Sequence, residues 1–232
     1  MEENRSQYSD GVYLEKTGGK WHLEDAPFKA HWVLKMLARH PEIEPKSVCD
    51  IGCGSGGVLA ELLKVLPESV LFKGYDISPQ ALAIAQRFSS PRCVFILGNA
   101  FSDASVYDLV LVMDVVEHVE DCFKFLRESR KKGRMKLYHI PLDANASKIL
   151  RGASDWDSVG HIHLFSIQTA IKTLEYTGHR IVDWLLTDSA FETQRPLFRT
   201  RLANLVRRPL GMVSENFCAR VLGGYSLLIL AE

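Results

Sequence analysis

The sequence lacks a charge excess of either sign, a long apolar run and any closely paired cysteine motif. Its 28 lysines and arginines balance 28 aspartates and glutamates, so no overall field draws the chain to nucleic acid or to an anionic membrane. No apolar run approaches the ~20 residues of a membrane-spanning helix. The 5 cysteines include no C-x-x-C pair, which favours reduced thiols over a disulfide framework.

The start of the chain, Met1–Arg5, is polar and acidic, and no apolar segment of the kind found in secretory signals follows it. We therefore expect a cytoplasmic protein. A chain of 232 residues is long enough to bury a full core, and its alternating strand and helix patterns fit a single α/β domain.

The most informative segment is Asp50–Gly57, with the sequence DIGCGSGG, directly after the short strand-like step Ser47–Cys49. Where a strand turns into a helix, glycines let the backbone approach a ligand closely, and the first helical N–H groups lack partners. The spacing G-x-G-x-x-G also fits a dinucleotide fingerprint. A carboxylate at Asp50 would repel a pyrophosphate, so it favours a ligand with a positive or neutral polar group. The turn alone leaves both kinds of cofactor open.

Each of the first four predicted strands is followed closely by a polar side chain. The strands are Ser47–Cys49, Val70–Tyr75, Cys93–Leu97 and Tyr107–Met113, and the polar residues are Asp50, Asp76, Asn99 and Asp114. Parallel strands deliver their carboxyl ends to one edge of a sheet, which is where open α/β sheets bind ligands. Asp76 is placed to accept both hydroxyls of a ribose, which suits either kind of nucleotide cofactor.

In this order, the motifs resemble those of the class I S-adenosylmethionine-dependent methyltransferases, closely from Ser47 to Pro141 and by general layout over almost the whole chain. The resemblance implies an α/β fold with a doubly wound, seven-stranded, mostly parallel sheet and an antiparallel last strand, a Rossmann-like methyltransferase fold. It also implies S-adenosylmethionine as cofactor, with the glycine turn at its methionine part, Asp76 at its ribose and Asn99 at its adenine. The cofactor-binding residues that it assigns are Asp50, Gly52, Gly54, Gly56, Asp76, Ile77, Asn99, Ala100 and Asp114.

The resemblance further implies an enzyme that methylates an oxygen or nitrogen of a small-molecule acceptor by in-line displacement, similar to the quinone-biosynthesis subgroup. Nothing in the sequence signals a nucleic-acid partner strongly, and the oligomeric state stays open. One alternative is a catalytically silent methyltransferase-like binding subunit, which would keep the same binding residues. Another is an NAD-dependent reductase, which Asp50 and the expected reversed last strand disfavour.

We expect one domain over residues 1–232, with an aromatic arm and helix at 1–45 and substrate-side insertions at 142–165 and 188–223. The arm either packs across a sheet edge or, by resemblance to relatives whose N-terminal segment folds over the cofactor, forms part of a lid. The arginines of the second insertion either line a solvated amphipathic helix or bind a carboxylate or phosphate of the substrate. The predicted substrate-binding residues are Tyr13, Trp21, His139, Arg195 and Arg199.

The methyl group of a sulfonium is already activated, so the enzyme mainly needs to align the acceptor in a dry pocket. A base is required only when the acceptor carries a proton at neutral pH, and histidine suits that role. The candidate catalytic residues are His118, His161 and His163, which follow predicted strands four and five. His161 and His163 alternate, so in an extended segment only one readily enters the pocket. Each of the three can instead be a structural or surface histidine.

Asp114, Glu117 and His118 are spaced to share one side of a helical turn, a face that suits a divalent ion with His161 or His163 as a further ligand. The segment resembles the acid-x-x-Glu-His motif of quinone-biosynthesis O-methyltransferases and of RNA 3′-end methyltransferases, some of which hold a metal there. This chain has aspartate where those proteins have glutamate, and the shorter side chain reaches less far. We therefore predict that the protein uses no metal.

Overall fold

The computed structural model describes residues 23–150, 160–188 and 214–232. Its strands are β1 (Ser47–Ile51), β2 (Leu71–Asp76), β3 (Cys93–Leu97), β4 (Tyr107–Met113), β5 (Gly133–Pro141), β6 (Ile181–Thr187) and β7 (Ser226–Ala231). Its α-helices are α1 (Ala26–Arg39), α2 (Gly57–Leu62), α3 (Pro79–Ala85), α4 (Cys122–Arg130), α5 (Ala146–Leu150), α6 (Ile167–Tyr176) and α7 (Glu215–Val221). Short 3-10 turns lie at Leu23–Asp25, Gln86–Phe88, Ala100–Ser102 and Val116–His118.

Within these described residues, seven strands form one sheet in the order β3-β2-β1-β4-β5-β7-β6. β1 pairs in parallel with β2 and with β4, and β2 pairs in parallel with β3. β7 runs antiparallel to β6. The predicted doubly wound, mostly parallel sheet with a reversed last strand is therefore confirmed. Because β1, β2 and β3 are parallel neighbours, their carboxyl ends lie along one edge of the sheet.

Burial along the strands explains why these segments form the centre of the fold. Residues 109–112 of β4 are all fully buried, which is typical of a parallel strand covered by helices on both faces. All six residues of β7 are buried as well. Helix α1 turns an apolar stripe that includes Val33 and Met36 inward, as its helical spacing predicts. In the described part of the chain, no helix combines the length and the apolar character needed to cross a membrane.

The described residues cluster into two compact units. The first lies within Met1–Met113 and Lys131–Leu137, and the second within Asp114–Arg130 and Tyr138–Glu232. The glycine turn, Asp76 and Asn99 belong to the first unit, whereas Asp114 and the candidate catalytic histidines belong to the second. The expectation of one domain over residues 1–232, with its arm and two insertions, stays a prediction.

Candidate functional site

The turn between β1 and α2 is built from glycines in the left-handed region. Gly52, Gly54 and Gly56 have φ angles of 77°, 52° and 74°, a conformation that glycine adopts without steric cost. The N–H of Gly52 donates to the carbonyl oxygen of Tyr75 at 2.8 Å, which fastens the turn to the end of β2. At Gly56 a side chain would also collide, because a Cβ there would lie 2.7 Å from the ring of Phe95. The segment therefore forms a backbone-lined turn at the carboxyl end of β1.

Asp50 brings a buried carboxylate to the start of this turn. Its residue is only 1% exposed, and its Oδ1 has no hydrogen-bond partner among the described residues. Burial raises the pKa of Asp50 to about 7, with Lys29 opposing the shift and Asp76 adding to it. A buried carboxylate oxygen without a hydrogen-bond partner lowers the stability of the fold, unless a ligand supplies a hydrogen-bond donor or a positive charge.

Asp76, at the end of β2, accepts hydrogen bonds from the backbone of the glycine turn and from the backbone that follows β2. The Gly54 N–H donates to its Oδ2 at 2.7 Å, and the Ser78 N–H donates to its Oδ1 at 2.8 Å. Burial raises the pKa of Asp76, although these backbone donors act in the opposite direction. Each carboxylate oxygen has a second lone pair, so the oriented group can still accept hydroxyl hydrogens from a ligand.

The segments after β2 and β3 complete this part of the first unit. The side chain of Ile77 is 52% exposed beside Asp76, an apolar surface next to a polar one. Asn99 is exposed, whereas Ala100 is buried. The Oδ1 of Asn99 accepts the Phe101 N–H at 2.9 Å and so caps the short turn that begins at Ala100. The structure gives Asn99 this local capping role in addition to the ligand contact that the sequence predicts.

Asp114 lies at the end of β4 in the second unit and has an unusual backbone. Among the described residues it is the one non-glycine residue with a positive φ, 58°. Its Oδ1 lies 2.5 Å from Nδ1 of His139, whose Nε2 lies 2.8 Å from Oγ1 of Thr187. His139 and Thr187 are both buried. Strained conformations of this kind persist where surrounding contacts enforce them, and here the buried histidine does so.

This network changes the interpretation of His139. The sequence predicts that His139 contacts substrate, but the ring is 2% exposed and both of its nitrogens face protein oxygens. In this structure no ring nitrogen remains for a direct hydrogen bond to a ligand. The geometry instead assigns His139 to the support of Asp114.

Three side chains of the second unit converge near the end of the Val116–His118 turn. Potential ligand atoms of Glu117, His118 and His161 all lie within 4.8 Å of one another. The two imidazole rings meet edge to face, with their centroids 4.8 Å apart. Asp114 is not a member of this group, because its carboxylate faces His139. The motif Asp114, Glu117 and His118 therefore does not converge as its spacing suggests, and the group that could accept a cation includes His161 instead.

Asp143 is the residue that sequence reasoning missed. Its carboxylate accepts a hydrogen bond from Nδ1 of His161 and lies 2.7 Å from Nζ of Lys148. Burial by itself would raise the pKa of Asp143, but the hydrogen bonds from His161 and Lys148 outweigh it and lower that pKa. The signal was available, because Asp143 lies two residues after the end of β5, just as Asn99 lies two residues after the end of β3.

His163 faces a different partner from His161. Its Nε2 lies 2.8 Å from the carbonyl oxygen of Val119 and therefore donates a hydrogen bond to it. The two alternating histidines therefore have different partners: His161 donates to a carboxylate, and His163 donates to a backbone carbonyl oxygen. The predicted substrate contacts Tyr13, Trp21, Arg195 and Arg199 lie outside the described residues.

Comparisons with known proteins agree with this architecture. A family model described as a methyltransferase domain matches residues 49–132. The ubiquinone biosynthesis O-methyltransferase of Chromobacterium violaceum is 34% identical over 114 residues, which cover 44% of this chain and 48% of that protein. Ajmaline N-methyltransferase of Rauvolfia serpentina is 33% identical over 96 residues, or 38% of this chain and 32% of that protein. The crystal structure of the magnesium protoporphyrin IX methyltransferase of Synechocystis PCC 6803 with bound SAH aligns with a TM-score of 0.60 at 16% identity, over 88% of this chain and 81% of that one.

The chain spans about half the length, or less, of the curated relatives it matches. The likeness to the Synechocystis structure concerns the fold. The matched residues 49–132 run from β1 to the start of β5 and contain the glycine turn, Asp76 and Asn99. The match of this segment to a methyltransferase domain and the order of the sheet both support a class I S-adenosylmethionine-dependent methyltransferase.

Proposed function

We propose that the protein is an enzyme that uses S-adenosylmethionine to methylate an oxygen or nitrogen of a small molecule by in-line displacement. The observation that carries the proposal is Asp50, a buried carboxylate whose Oδ1 has no hydrogen-bond partner among the described residues, at the start of a turn of left-handed glycines. A ligand with a cationic group would satisfy this oxygen, whereas a pyrophosphate would be repelled by it.

The residues of the first unit fit the parts of this cofactor. Asp50 and the open glycine turn suit its charged amino-acid part, and the oriented carboxylate of Asp76 suits its ribose hydroxyls. The exposed side chain of Ile77 offers an apolar surface for adenine, and Asn99 retains its Nδ2 donor for a ring nitrogen. When bound, the cofactor supplies a methyl group that its positive sulfur activates. The protein then has to orient the acceptor and exclude water.

His161 is the best placed of the three candidate bases in the second unit. Its side chain and that of His118 are equally shielded from solvent, each 15% exposed, but the Nδ1 of His161 is held by a carboxylate, that of Asp143. His118 has a backbone partner, the carbonyl oxygen of Gly160 at 2.9 Å, and His163 donates to Val119. We assign His161 as the group that receives the acceptor's proton while the new bond to carbon forms and the carbon–sulfur bond breaks, its electron pair staying on sulfur.

The choice of an oxygen or nitrogen acceptor rests on the names of the relatives. One is a ubiquinone biosynthesis O-methyltransferase and another is an N-methyltransferase of ajmaline. Both names support a small-molecule acceptor for this chain as well. Tyr13, Trp21, Arg195 and Arg199 remain our predicted contacts to that acceptor.

Isothermal titration calorimetry tests the cofactor assignment. S-adenosylhomocysteine is expected to bind more tightly than NADH, because Asp50 repels a pyrophosphate and β7 is reversed relative to β6. Transfer of a labelled methyl group to a panel of phenols, alcohols and amines then tests catalysis. Tighter binding of NADH would overturn the class of reaction. Tight binding of S-adenosylhomocysteine without transfer to any member of the panel would favour the catalytically silent binding subunit.

Removal of metal is expected to leave methyl transfer unchanged. The physical reason is that Asp114, the first acid of the motif, is engaged by His139 and does not join Glu117, His118 and His161. The measurement compares the transfer rate before and after dialysis against a chelator, with the affinity for S-adenosylhomocysteine as the control for an intact protein. Activity that is lost and then restored by Mg²⁺, Mn²⁺ or Zn²⁺ would contradict this prediction and would make Glu117, His118 and His161 the ligands.

A further inference from the structure

We infer that Asp143 is a positioning residue for His161, because its carboxylate keeps a proton on Nδ1 and so leaves the lone pair on Nε2. The catalytic consequence of this inference rests on the proposed function. The contact itself does not, because it is a property of the folded chain.

Asp143 is held in place by backbone bonds on both sides. The Leu142 N–H donates to the Tyr225 carbonyl oxygen, and the Ala144 N–H donates to the Phe165 carbonyl oxygen, each at 3.0 Å. A buried amide adds a third restraint, since Nδ2 of Asn145 donates to the Leu142 carbonyl oxygen at 3.0 Å. Asp143 therefore does not sit on a freely moving loop. The backbone around it is fixed, and its carboxylate contacts His161.

The backbone on either side of His161 is fastened to Glu117 and His118. Gly160 adopts a φ of 74°, and its carbonyl oxygen lies 2.9 Å from Nδ1 of His118. On the other side, the Ile162 N–H donates to the Glu117 carbonyl oxygen at 2.9 Å. With the ring edge also packed against His118, the imidazole is fixed in the orientation that brings Nδ1 to Asp143.

The chemistry of the pair then selects the tautomer. An ionised carboxylate only accepts hydrogen bonds, so Nδ1 of His161 carries the hydrogen and Nε2 carries the lone pair. Lys148, 2.7 Å from the other oxygen of Asp143, favours the ionised form of this carboxylate. His118 also donates through Nδ1, but to a neutral carbonyl oxygen. The partner of His161 is a charged carboxylate and the partner of His118 is a neutral carbonyl, which distinguishes the two rings.

In the proposed reaction this lone pair receives the proton of the acceptor hydroxyl or amine. The oxygen or nitrogen forms a bond to the methyl carbon, the bond from that carbon to sulfur breaks, and its electron pair stays on sulfur. The proton moves to Nε2 of His161, and the positive charge of the resulting imidazolium lies next to the Asp143 carboxylate, which stabilises it. No further reactant is needed for this balance.

The test measures the tautomer of His161 directly in the full chain. Long-range ¹H–¹⁵N correlation spectra of ¹⁵N-histidine protein, recorded at neutral pH with a chelator present, report which ring nitrogen carries hydrogen, and His161→Gln assigns the signal. We expect hydrogen on Nδ1 in the unaltered protein. Hydrogen on Nε2 would overturn the inference, and the tautomer itself is read from the unaltered protein.

Asp143→Asn supplies the functional readout. It is expected to shift hydrogen from Nδ1 towards Nε2 of His161 and to lower kcat by roughly 10- to 100-fold with little change in KM. Glu175→Gln is the matched control, because it also converts a carboxylate bonded to a lysine, Lys172 at 2.6 Å, into an amide. In the His161→Gln background, Asp143→Asn is expected to have no further effect on kcat. If Asp143→Asn lowers kcat in that background as much as it does in the unaltered protein, Asp143 does not act through His161 and the positioning role is wrong.

Failure of the inference and failure of the proposed function give different results. If no acceptor is methylated by the unaltered protein, the proposed function fails, whereas the tautomer spectrum still decides the role of Asp143. If methyl transfer is found and the tautomer is opposite, the inference fails and the function stands.

Discussion

Replacing His161 by glutamine is expected to lower kcat for methyl transfer to a hydroxyl acceptor by about 10²–10⁴-fold, the range attributed to a positioned base. Glutamine keeps a polar side chain of similar reach but has no basic nitrogen to receive the proton. The affinity for S-adenosylhomocysteine is expected to stay unchanged, because Asp50, Asp76 and the glycine turn belong to the other compact unit. Single-turnover transfer kinetics and calorimetry measure the two quantities separately.

His40→Gln is the matched control for this substitution. His40 also lies beside a carboxylate, with its Nδ1 3.1 Å from Oε1 of Glu42, but this pair is an exposed one that follows α1. Its replacement is expected to leave kcat unchanged. If His118→Gln abolished transfer while His161→Gln did not, His118 would be the base and the assignment of His161 would be wrong.

The fold and the arrangement of the proposed cofactor-binding residues in the first unit follow from local sequence features. Asp50, Asp76 and Asn99 each lie at or just after the end of a strand, and strands that are parallel neighbours bring their carboxyl ends to one edge. The order of these features along the chain was therefore enough to predict their proximity. The hydrogen bond from the Gly54 N–H to Asp76 confirms that the glycine turn and this carboxylate are in contact.

The contacts of the histidines in the second unit could not be predicted in the same way, because they join distant parts of the chain. His139 contacts Thr187 of β6, which lies 48 residues further along the chain, and Asp143 contacts His161, 18 residues further along. The helical spacing of Asp114, Glu117 and His118 suggested one face, but the left-handed backbone of Asp114 turns its carboxylate to His139. A periodicity argument assumes regular backbone, and it fails where a single residue departs from that backbone.

Replacing Asp76 by alanine is expected to weaken the binding of S-adenosylhomocysteine by about 1.5–3 kcal/mol, which corresponds to roughly 10- to 150-fold in Kd. The carboxylate is proposed to accept hydrogen bonds from the ribose hydroxyls, and a charged acceptor makes such bonds stronger than a neutral one does. Calorimetry at constant pH measures the change. Glu61→Gln, an isosteric change at a carboxylate on α2 that pairs with Lys64, serves as a control with no expected effect.

Asp76 also accepts hydrogen bonds from Gly54 and Ser78, so its removal can weaken binding by loosening the turn rather than by losing the ribose. A ligand that lacks the ribose hydroxyls separates the two causes. If Asp76 binds the ribose, Asp76→Ala costs much less affinity for the deoxygenated ligand than for S-adenosylhomocysteine, because the interaction is already absent. An equal loss for both ligands would show that Asp76 acts through the glycine turn. Unchanged affinity for S-adenosylhomocysteine would remove Asp76 from the site altogether.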